Sequence, residues 1–338
     1  MENDNKLMPN ARASSFLYPI SEKSYLLIGG SDRNKAYNDL WLLLPNEKKW
    51  ESISNDNPIS KLFSPRSGFS YVVTEKNKDF LTIYIHGGLD FFSQKFYADF
   101  FKININCNDI LKSNISNLII YPLNIEKNPC ERNSHSLVFD NDKTIYLFGG
   151  GTKENLLNDI WSYDIIKNKF LKLEIENLNN LIEPRELFGM GYYNNNIIII
   201  GGRCMDKIDN KSYIINIKDK TCKEGPKLPC PLCAFSYTYA KYNGIDYIIL
   251  YGGTDGNNFF NVFLIYNLID NTIKKSKLII NKELINNDPN LSIFLGRISA
   301  VMTVDEKNEN IILYGGSASD KEWSYVNKIS LKDIISNI

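Results

Sequence analysis

The sequence offers few side chains suited to metal or acid–base chemistry. It contains two isolated histidines, His86 and His135. Catalytic metal sites draw on several converging His, Cys or carboxylate ligands. His86 ends an apolar run and His135 lies in a segment with a strand pattern, so both are interpreted as structural histidines inside strands. We therefore expect no catalytic residue, no metal site and no cofactor.

Cysteine spacing gives one further candidate for chemistry. Cys230 and Cys233 form a single C-x-x-C, which precedes a predicted strand and not a helix of a βαβ unit. That context does not favour a thioredoxin-like redox role. A zinc site shared by Cys204, Cys230 and Cys233 is an alternative, but free cysteine is among the most frequently buried residue types.

Composition and charge exclude several classes of protein. The 338 residues carry 39 basic and 39 acidic side chains, so no net charge draws the chain to nucleic acid or anionic lipid. Residues 1–12 are polar and lack the apolar region of a secretory signal. The apolar run around Ile197–Ile200 is far shorter than the roughly 20 residues that span a membrane. We expect a cytoplasmic protein with reduced cysteines and no membrane insertion.

A glycine doublet at the end of an apolar run recurs six times and marks an internal repeat. The structural repeat glycines are Gly29 and Gly30, Gly87 and Gly88, Gly149 and Gly150, Gly201 and Gly202, Gly252 and Gly253, and Gly315 and Gly316. A glycine pair lets the chain turn where a side chain would clash, including at positive φ.

Each doublet has the same flanking order. An upstream strand usually opens with an arginine, and a polar loop, a third strand and a fourth strand follow the doublet. Asn38-Asp39-Leu40-Trp41 and Asn158-Asp159-Ile160-Trp161 are the clearest third strands. The fifth repeat has no arginine in its opening segment, Cys230–Phe235.

These residues resemble the kelch repeat, and the resemblance covers nearly the whole chain. It implies an all-β, six-bladed kelch β-propeller with four antiparallel strands per blade. A single domain over residues 1–338 is expected, with residues 1–10 completing the last blade. The repeats are placed at approximately 11–57, 58–126, 127–180, 181–229, 230–290 and 291–338.

The resemblance also implies a function. The chain is similar to stand-alone kelch proteins of the Rab9 effector type, which implies a monomeric, non-catalytic scaffold or adaptor for a protein partner. A short acidic segment or a small GTPase is the expected kind of partner. Two alternatives stay open: a metal-dependent or sugar-active propeller enzyme, and an actin- or cytoskeleton-associated scaffold.

In kelch propellers the partner is commonly held by the loops before the inner strands and after the glycine pairs. Loops on a rigid scaffold often carry function, and aromatic and arginine side chains dominate interfaces. The candidate partner-binding residues are Arg203, Phe91, Phe92, Arg33, Phe63, Arg66, Arg132, Arg185, Phe259, Phe260, Phe294 and Arg297. Two other interpretations apply here: the repeat-opening arginines are structural, and the phenylalanine pairs pack under their own loops.

Overall fold

The computed structural model of the chain describes residues 8–338 except residues 23, 45–48, 54, 55, 78, 113, 115, 116, 278–295, 306 and 320. The described residues form six antiparallel sheets that follow one another along the chain, one for each Gly-Gly repeat. The predicted all-β, six-bladed propeller is therefore confirmed.

The strands run in order from the first strand of each blade to its last, except for a two-stranded hairpin, β7–β8, inserted in blade 2. Blade 1 contains β1 (Phe16–Ser21), β2 (Ser24–Ser31), β3 (Ala36–Leu44) and β4 (Lys49–Ile53). Blade 2 contains β5 (Ser70–Lys76), β6 (Phe80–His86), β7 (Leu89–Asp90), β8 (Lys95–Phe96), β9 (Phe100–Asn106) and β10 (Ile119–Pro122). Blade 3 contains β11 (Ser136–Phe139), β12 (Thr144–Gly151), β13 (Leu156–Asp164) and β14 (Lys169–Lys172). Blade 4 contains β15 (Gly189–Tyr193), β16 (Asn196–Ile200), β17 (Ser212–Asn216) and β18 (Thr221–Glu224). Blade 5 contains β19 (Ser236–Tyr242), β20 (Ile245–Tyr251), β21 (Phe263–Asn267) and β22 (Thr272–Lys275). Blade 6 contains β23 (Val301–Val304), β24 (Asn310–Tyr314) and β25 (Val326–Ser330).

Short helices lie outside the sheets: α1 (Pro58–Leu62), α2 (Cys107–Ile110), α3 (Leu178–Leu181) and α4 (Leu331–Ser336). Among the described residues, no helix is long and apolar enough to cross a membrane.

Apolar packing between neighbouring blades holds the ring together. The second strand of each blade is a continuous apolar run, as in β16, where Ile197 to Ile200 are all buried. Such runs suit strands that are covered on both faces. The described residues form six hydrophobic clusters, one at each junction between consecutive blades around the ring.

The first and last blades meet through one of these clusters. Leu17 and Leu27 of blade 1 share it with Ile312 and Tyr314 of blade 6. The Trp50 ring lies 5.2 Å from the Tyr314 ring, centroid to centroid. The ring is therefore closed by side-chain packing between residues at opposite ends of the chain.

Backbone hydrogen bonds add a second connection around the central axis. One residue just before each inner strand, the first strand of its blade, has a left-handed φ between 52° and 62°. Five of these six residues donate an N–H to the carbonyl of the equivalent residue in a neighbouring blade. The bonds join Ser14 to Ser299 (2.8 Å), Ser299 to Ala234 (2.7 Å), Ala234 to Leu187 (2.9 Å), Leu187 to Ser134 (3.1 Å) and Ser134 to Gly68 (2.7 Å).

The last blade differs from the other five, because its sheet has three strands among the described residues. Helix α4 follows the third strand and buries Leu331 and Ile334 against blades 5 and 6. The predicted closing strand at residues 1–10 falls mostly on residues 1–7, which lie outside the described residues. Residues 8–10 form no strand, and the Asn10 carbonyl accepts a hydrogen bond from the Tyr314 hydroxyl (3.4 Å).

Candidate partner-binding face

The repeat-opening arginines lie inside the protein and join strands of the same blade. The Arg132 guanidinium donates to the Gly149 carbonyl (3.0 Å) and makes a two-point ion pair with Asp159 (2.7 and 3.0 Å). Arg12 pairs in the same way with Asp39. Burial opposes ionisation of Asp159, yet the hydrogen bonds and charge of Arg132 keep the pKa of this carboxyl below its usual range.

The same arrangement recurs in blades 2 and 4, where Arg66 pairs with Asp99 and Arg185 with Asp209. Each of these arginines reaches from the segment before the inner strand to an aspartate just before the third strand, and donates to the carbonyl of the first glycine of the pair. The structural interpretation of the repeat-opening arginines therefore matches their contacts.

Several sequence-predicted candidates are consequently buried. Phe63, Arg66, Arg132, Arg185 and Arg297 each expose 1% or less of their surface, so a partner cannot contact these side chains in this conformation. Phe294 lies outside the described residues. The exposed candidates are Arg33, Phe91, Phe92, Arg203 and Phe259, while Phe260 is partly buried.

The glycine pairs allow the close approach of consecutive blades and loops. Gly30 has φ +93°, and a Cβ on it would lie 2.7 Å from the Ala13 carbonyl oxygen and 2.9 Å from the Ser15 Cβ. The loop that follows the pair therefore runs directly over the segment before the inner strand. Together, the loops before the inner strands and after the glycine pairs form one surface, which we call the loop face.

Two aromatic side chains project from the loop face in a fixed turn. Phe91 and Phe92 stand at the tip of the β7–β8 hairpin and are 64% and 47% exposed, so they do not pack under their own loop. Asp90 holds the turn by accepting hydrogen bonds from the Phe92 N–H (3.1 Å) and the Ser93 hydroxyl (2.5 Å). Gln94 donates to the Phe91 carbonyl (2.6 Å). Both rings are thus presented to solvent by a turn that is already hydrogen-bonded.

A cavity of about 400 Å³ opens beside these rings and is called the face cavity here. Its walls come from the loops after the first two glycine pairs, including Arg33, Leu89, Phe91 and Phe92. Ser14, Gly68 and Ser134 of the hydrogen-bonded central ring also line it. The face cavity therefore lies over blades 1 to 3, to one side of the central axis, and the rings of Phe91 and Phe92 form part of its wall.

The remaining exposed candidates occupy separate parts of the loop face. The Arg203 guanidinium is about half exposed and pairs with the buried carboxylate of Glu186, which lies before the inner strand of the same blade. Phe259 lies in the loop after the fifth glycine pair. Sequence reasoning missed Met205, which is 81% exposed two residues beyond Arg203, although an apolar residue in a loop after a glycine pair is a usable signal.

Arg33 is exposed but anchored. Its guanidinium donates to the Ala318 carbonyl (2.8 Å) in the loop after the last glycine pair, so it links blades 1 and 6 across the loop face. This contact fixes the side chain beside the face cavity.

Neither group of candidate metal ligands forms a metal site in the part of the chain that the structure describes. No group of three or more His, Cys, Asp or Glu side chains is placed to hold an ion there. Cys204 and Cys233 are buried, and burial raises the pKa of Cys233 to about 11, so this thiol is protonated at neutral pH. His86 and His135 are buried and contact each other between blades 2 and 3.

The repeat, the closed ring of six sheets and the loop face together define a kelch β-propeller. The family sequence profile described as the KLHDC2/KLHL20/DRC7 Kelch-repeats domain matches residues 82–279, which is more than half of the chain. The chain therefore belongs to this kelch-repeat family. A comparison with curated proteins gives no match. The narrower resemblance to the Rab9 effector type stays a prediction.

Proposed function

We propose that this propeller is a non-catalytic adaptor that binds a protein partner on the loop face, with Phe91, Phe92 and Arg33 at the centre of the contact. The observation that carries the proposal is the pair of exposed phenylalanines at the rim of the face cavity. Large exposed apolar side chains beside a concave surface mark interaction sites. The kelch-repeat family, whose propellers commonly bind other proteins, supports the same class of function.

The fixed geometry of the hairpin supports this placement. Ordering side chains on binding costs free energy, and a turn that is already hydrogen-bonded reduces that cost. Asp90 and Gln94 hold the turn before any partner arrives. Aromatic and arginine side chains at the centre of an interface contribute most of the binding free energy in typical complexes.

The chemistry of the rim indicates what the partner presents. Phe91, Phe92 and Leu89 offer apolar surface, while Arg33 supplies one positive charge and Asp32 one negative charge. An apolar side chain of the partner inserted into the face cavity, flanked by a carboxylate near Arg33, complements this surface. A short segment with an apolar and an acidic residue therefore remains the preferred partner chemistry.

We further propose that the protein acts as a monomer in the cytoplasm. None of its six cysteines is paired in a disulfide. Free cysteines are typical of proteins that work in reducing compartments.

Quantitative capture tests the proposal. Wild-type protein and a Phe91→Ser/Phe92→Ser/Arg33→Ala variant are used as bait in a lysate of the source organism. Ile166→Ser is the matched control, because Ile166 is 79% exposed on the turn between β13 and β14, away from the loop face. We expect a protein retained by wild type and by Ile166→Ser but lost by the triple variant. Equal capture by all three proteins at matched melting temperatures would contradict the proposal.

A further inference from the structure

The sixth blade lacks the acidic residue that neutralises the repeat-opening arginine. In blades 1 and 3, Asp39 and Asp159 on the third strand receive the guanidinium, and Trp41 and Trp161 donate their indole N–H to the same carboxylates (2.7 Å each). Each carboxylate therefore accepts hydrogen bonds from an arginine and from a tryptophan.

The strand register shows what replaces this pair in blade 6. Leu27 pairs with Trp41 in blade 1, and Leu313 pairs with Asn327 in blade 6. By the same register, Tyr325 takes the position of Asp39. Tyr325 is 44% exposed and has no carboxylate to receive the guanidinium. Arg297 thus occupies the position of the other repeat-opening arginines, but the part of its blade that the structure describes has no aspartate to pair with it.

The Arg297 guanidinium is left without an anionic partner among the described residues. It donates to the Gly315 carbonyl (2.9 Å) and stacks on the Trp323 ring, 4.5 Å from the centroid. Its Nε and second terminal nitrogen have no hydrogen-bond partner there, and it is 1% exposed. Burial lowers its pKa to about 10, which leaves the group charged at neutral pH.

Other orphaned polar groups accompany this charge. In the described part of the chain, the Trp323 indole N–H, the Tyr251 hydroxyl and the Asn327 amide are buried without hydrogen-bond partners. Tyr251 interacts electrostatically with Arg297 across the junction of blades 5 and 6, and burial raises the pKa of Tyr251 to about 12, so it is a neutral donor. Trp323 and Tyr251 are the two of these groups that lie beside Arg297. Buried polar groups are normally satisfied, so donors without partners beside a buried cation indicate a missing acceptor.

We propose that blade 6 binds one small monovalent anion, such as chloride or formate, at Arg297, where the aspartate carboxylate lies in blades 1 and 3. The guanidinium supplies the charge. Trp323 and Tyr251, which lie beside Arg297, are the neighbouring donors without partners. The anion lies at a buried guanidinium between blades 5 and 6, beneath the loops of the loop face, so it stabilises the fold.

The test is the melting temperature of the full chain in sodium chloride, compared with sodium gluconate at the same ionic strength. Gluconate is too bulky for an enclosed site. We expect wild type to melt about 2–4 °C higher in chloride, because a ligand that binds only the folded state stabilises it. Tyr325→Asp supplies the carboxylate within the chain and should melt higher in gluconate, with no further gain from chloride. Tyr121→Asp is the control, since Tyr121 is 43% exposed on β10 and should keep the wild-type response.

Two results would overturn the proposal. One is an identical melting temperature of wild type in both salts. The other is an equal response to chloride in wild type and in Arg297→Met, a variant that removes the charge. This second comparison still tests the proposal if Tyr325→Asp does not fold. Crystals soaked in bromide give an independent readout. An anomalous peak within hydrogen-bonding distance of Arg297 is expected, and a bromide-soaked crystal without that peak would also overturn the proposal.

Discussion

His86 and His135 face each other across the junction of blades 2 and 3, with the His86 Nδ1 3.0 Å from the His135 Nε2. The two rings are perpendicular, and both are buried. One nitrogen donates and the other accepts, so the contact requires that the accepting ring is neutral. Burial, together with the charges of Arg132 and Arg66, lowers the pKa of His86 to about 3. Burial, the neighbouring His86 and Arg132 also lower the pKa of His135 well below its usual value.

Stability is therefore expected to fall as the pH drops from 7 to 5. The unfolded chain takes up protons near pH 6.5, whereas the folded pair stays neutral down to a much lower pH, so protonation favours the unfolded state. Each histidine should cost about 2 kcal/mol of unfolding free energy over this interval. Urea denaturation at several pH values measures this loss of unfolding free energy.

The histidine content makes this measurement specific. The chain has no other histidines, and ordinary carboxyl groups titrate mostly below this window. His86→Phe/His135→Asn should flatten the dependence between pH 7 and pH 5. A double variant that keeps the full slope would show that other groups cause it.

The buried ion pairs predict a large effect of removing one partner. Asp159→Asn leaves the Arg132 guanidinium buried without a counter-charge, and such changes typically cost about 3–5 kcal/mol of unfolding free energy. The exposed pair of Lys207 and Glu183 is the comparison. Glu183→Gln should cost less than about 1 kcal/mol, as exposed pairs usually do. Similar losses in the two variants, measured by chemical denaturation, would contradict the assigned role of the buried arginines.

Two glycines with positive φ should respond differently to substitution. Gly30→Ala places a Cβ 2.7 Å from the Ala13 carbonyl and should cost about 3 kcal/mol. Gly68→Ala meets no contact closer than 3.4 Å, and the equivalent residue is a serine, a leucine or an alanine in the other blades. It should cost about 1 kcal/mol or less. Thermal denaturation of both variants measures the two losses of stability. A larger loss for Gly68→Ala than for Gly30→Ala would contradict the prediction.

The sequence predicts the blades well because each repeat carries its own local pattern. The glycine pair, the apolar second strand and the Asn38-Asp39 type of third strand place each sheet without reference to distant residues. The ring closure between Leu17 and Tyr314 depends on contacts between the two ends of the chain, which a local pattern does not contain.

The candidate site was harder to predict from sequence. Arg33 and Arg66 are the same residue type in neighbouring loops, yet the first is exposed and the second is buried against Asp99. Position in the repeat signals which arginine is structural, because Arg66 opens its repeat whereas Arg33 follows a glycine pair. The left-handed conformation of Ser14, Ser134 and Leu187 leaves no such signal, because these residue types rarely adopt it.

Site-specific photo-crosslinking tests the binding claim most directly. Benzoylphenylalanine at position 92 stands on the rim of the face cavity, and the same group at position 166 stands on an outer turn. After irradiation in a lysate of the source organism, we expect position 92 to give a discrete adduct with a partner protein and position 166 to give none. An adduct from position 166 with none from position 92 would contradict the assignment of the loop face as the partner-binding surface.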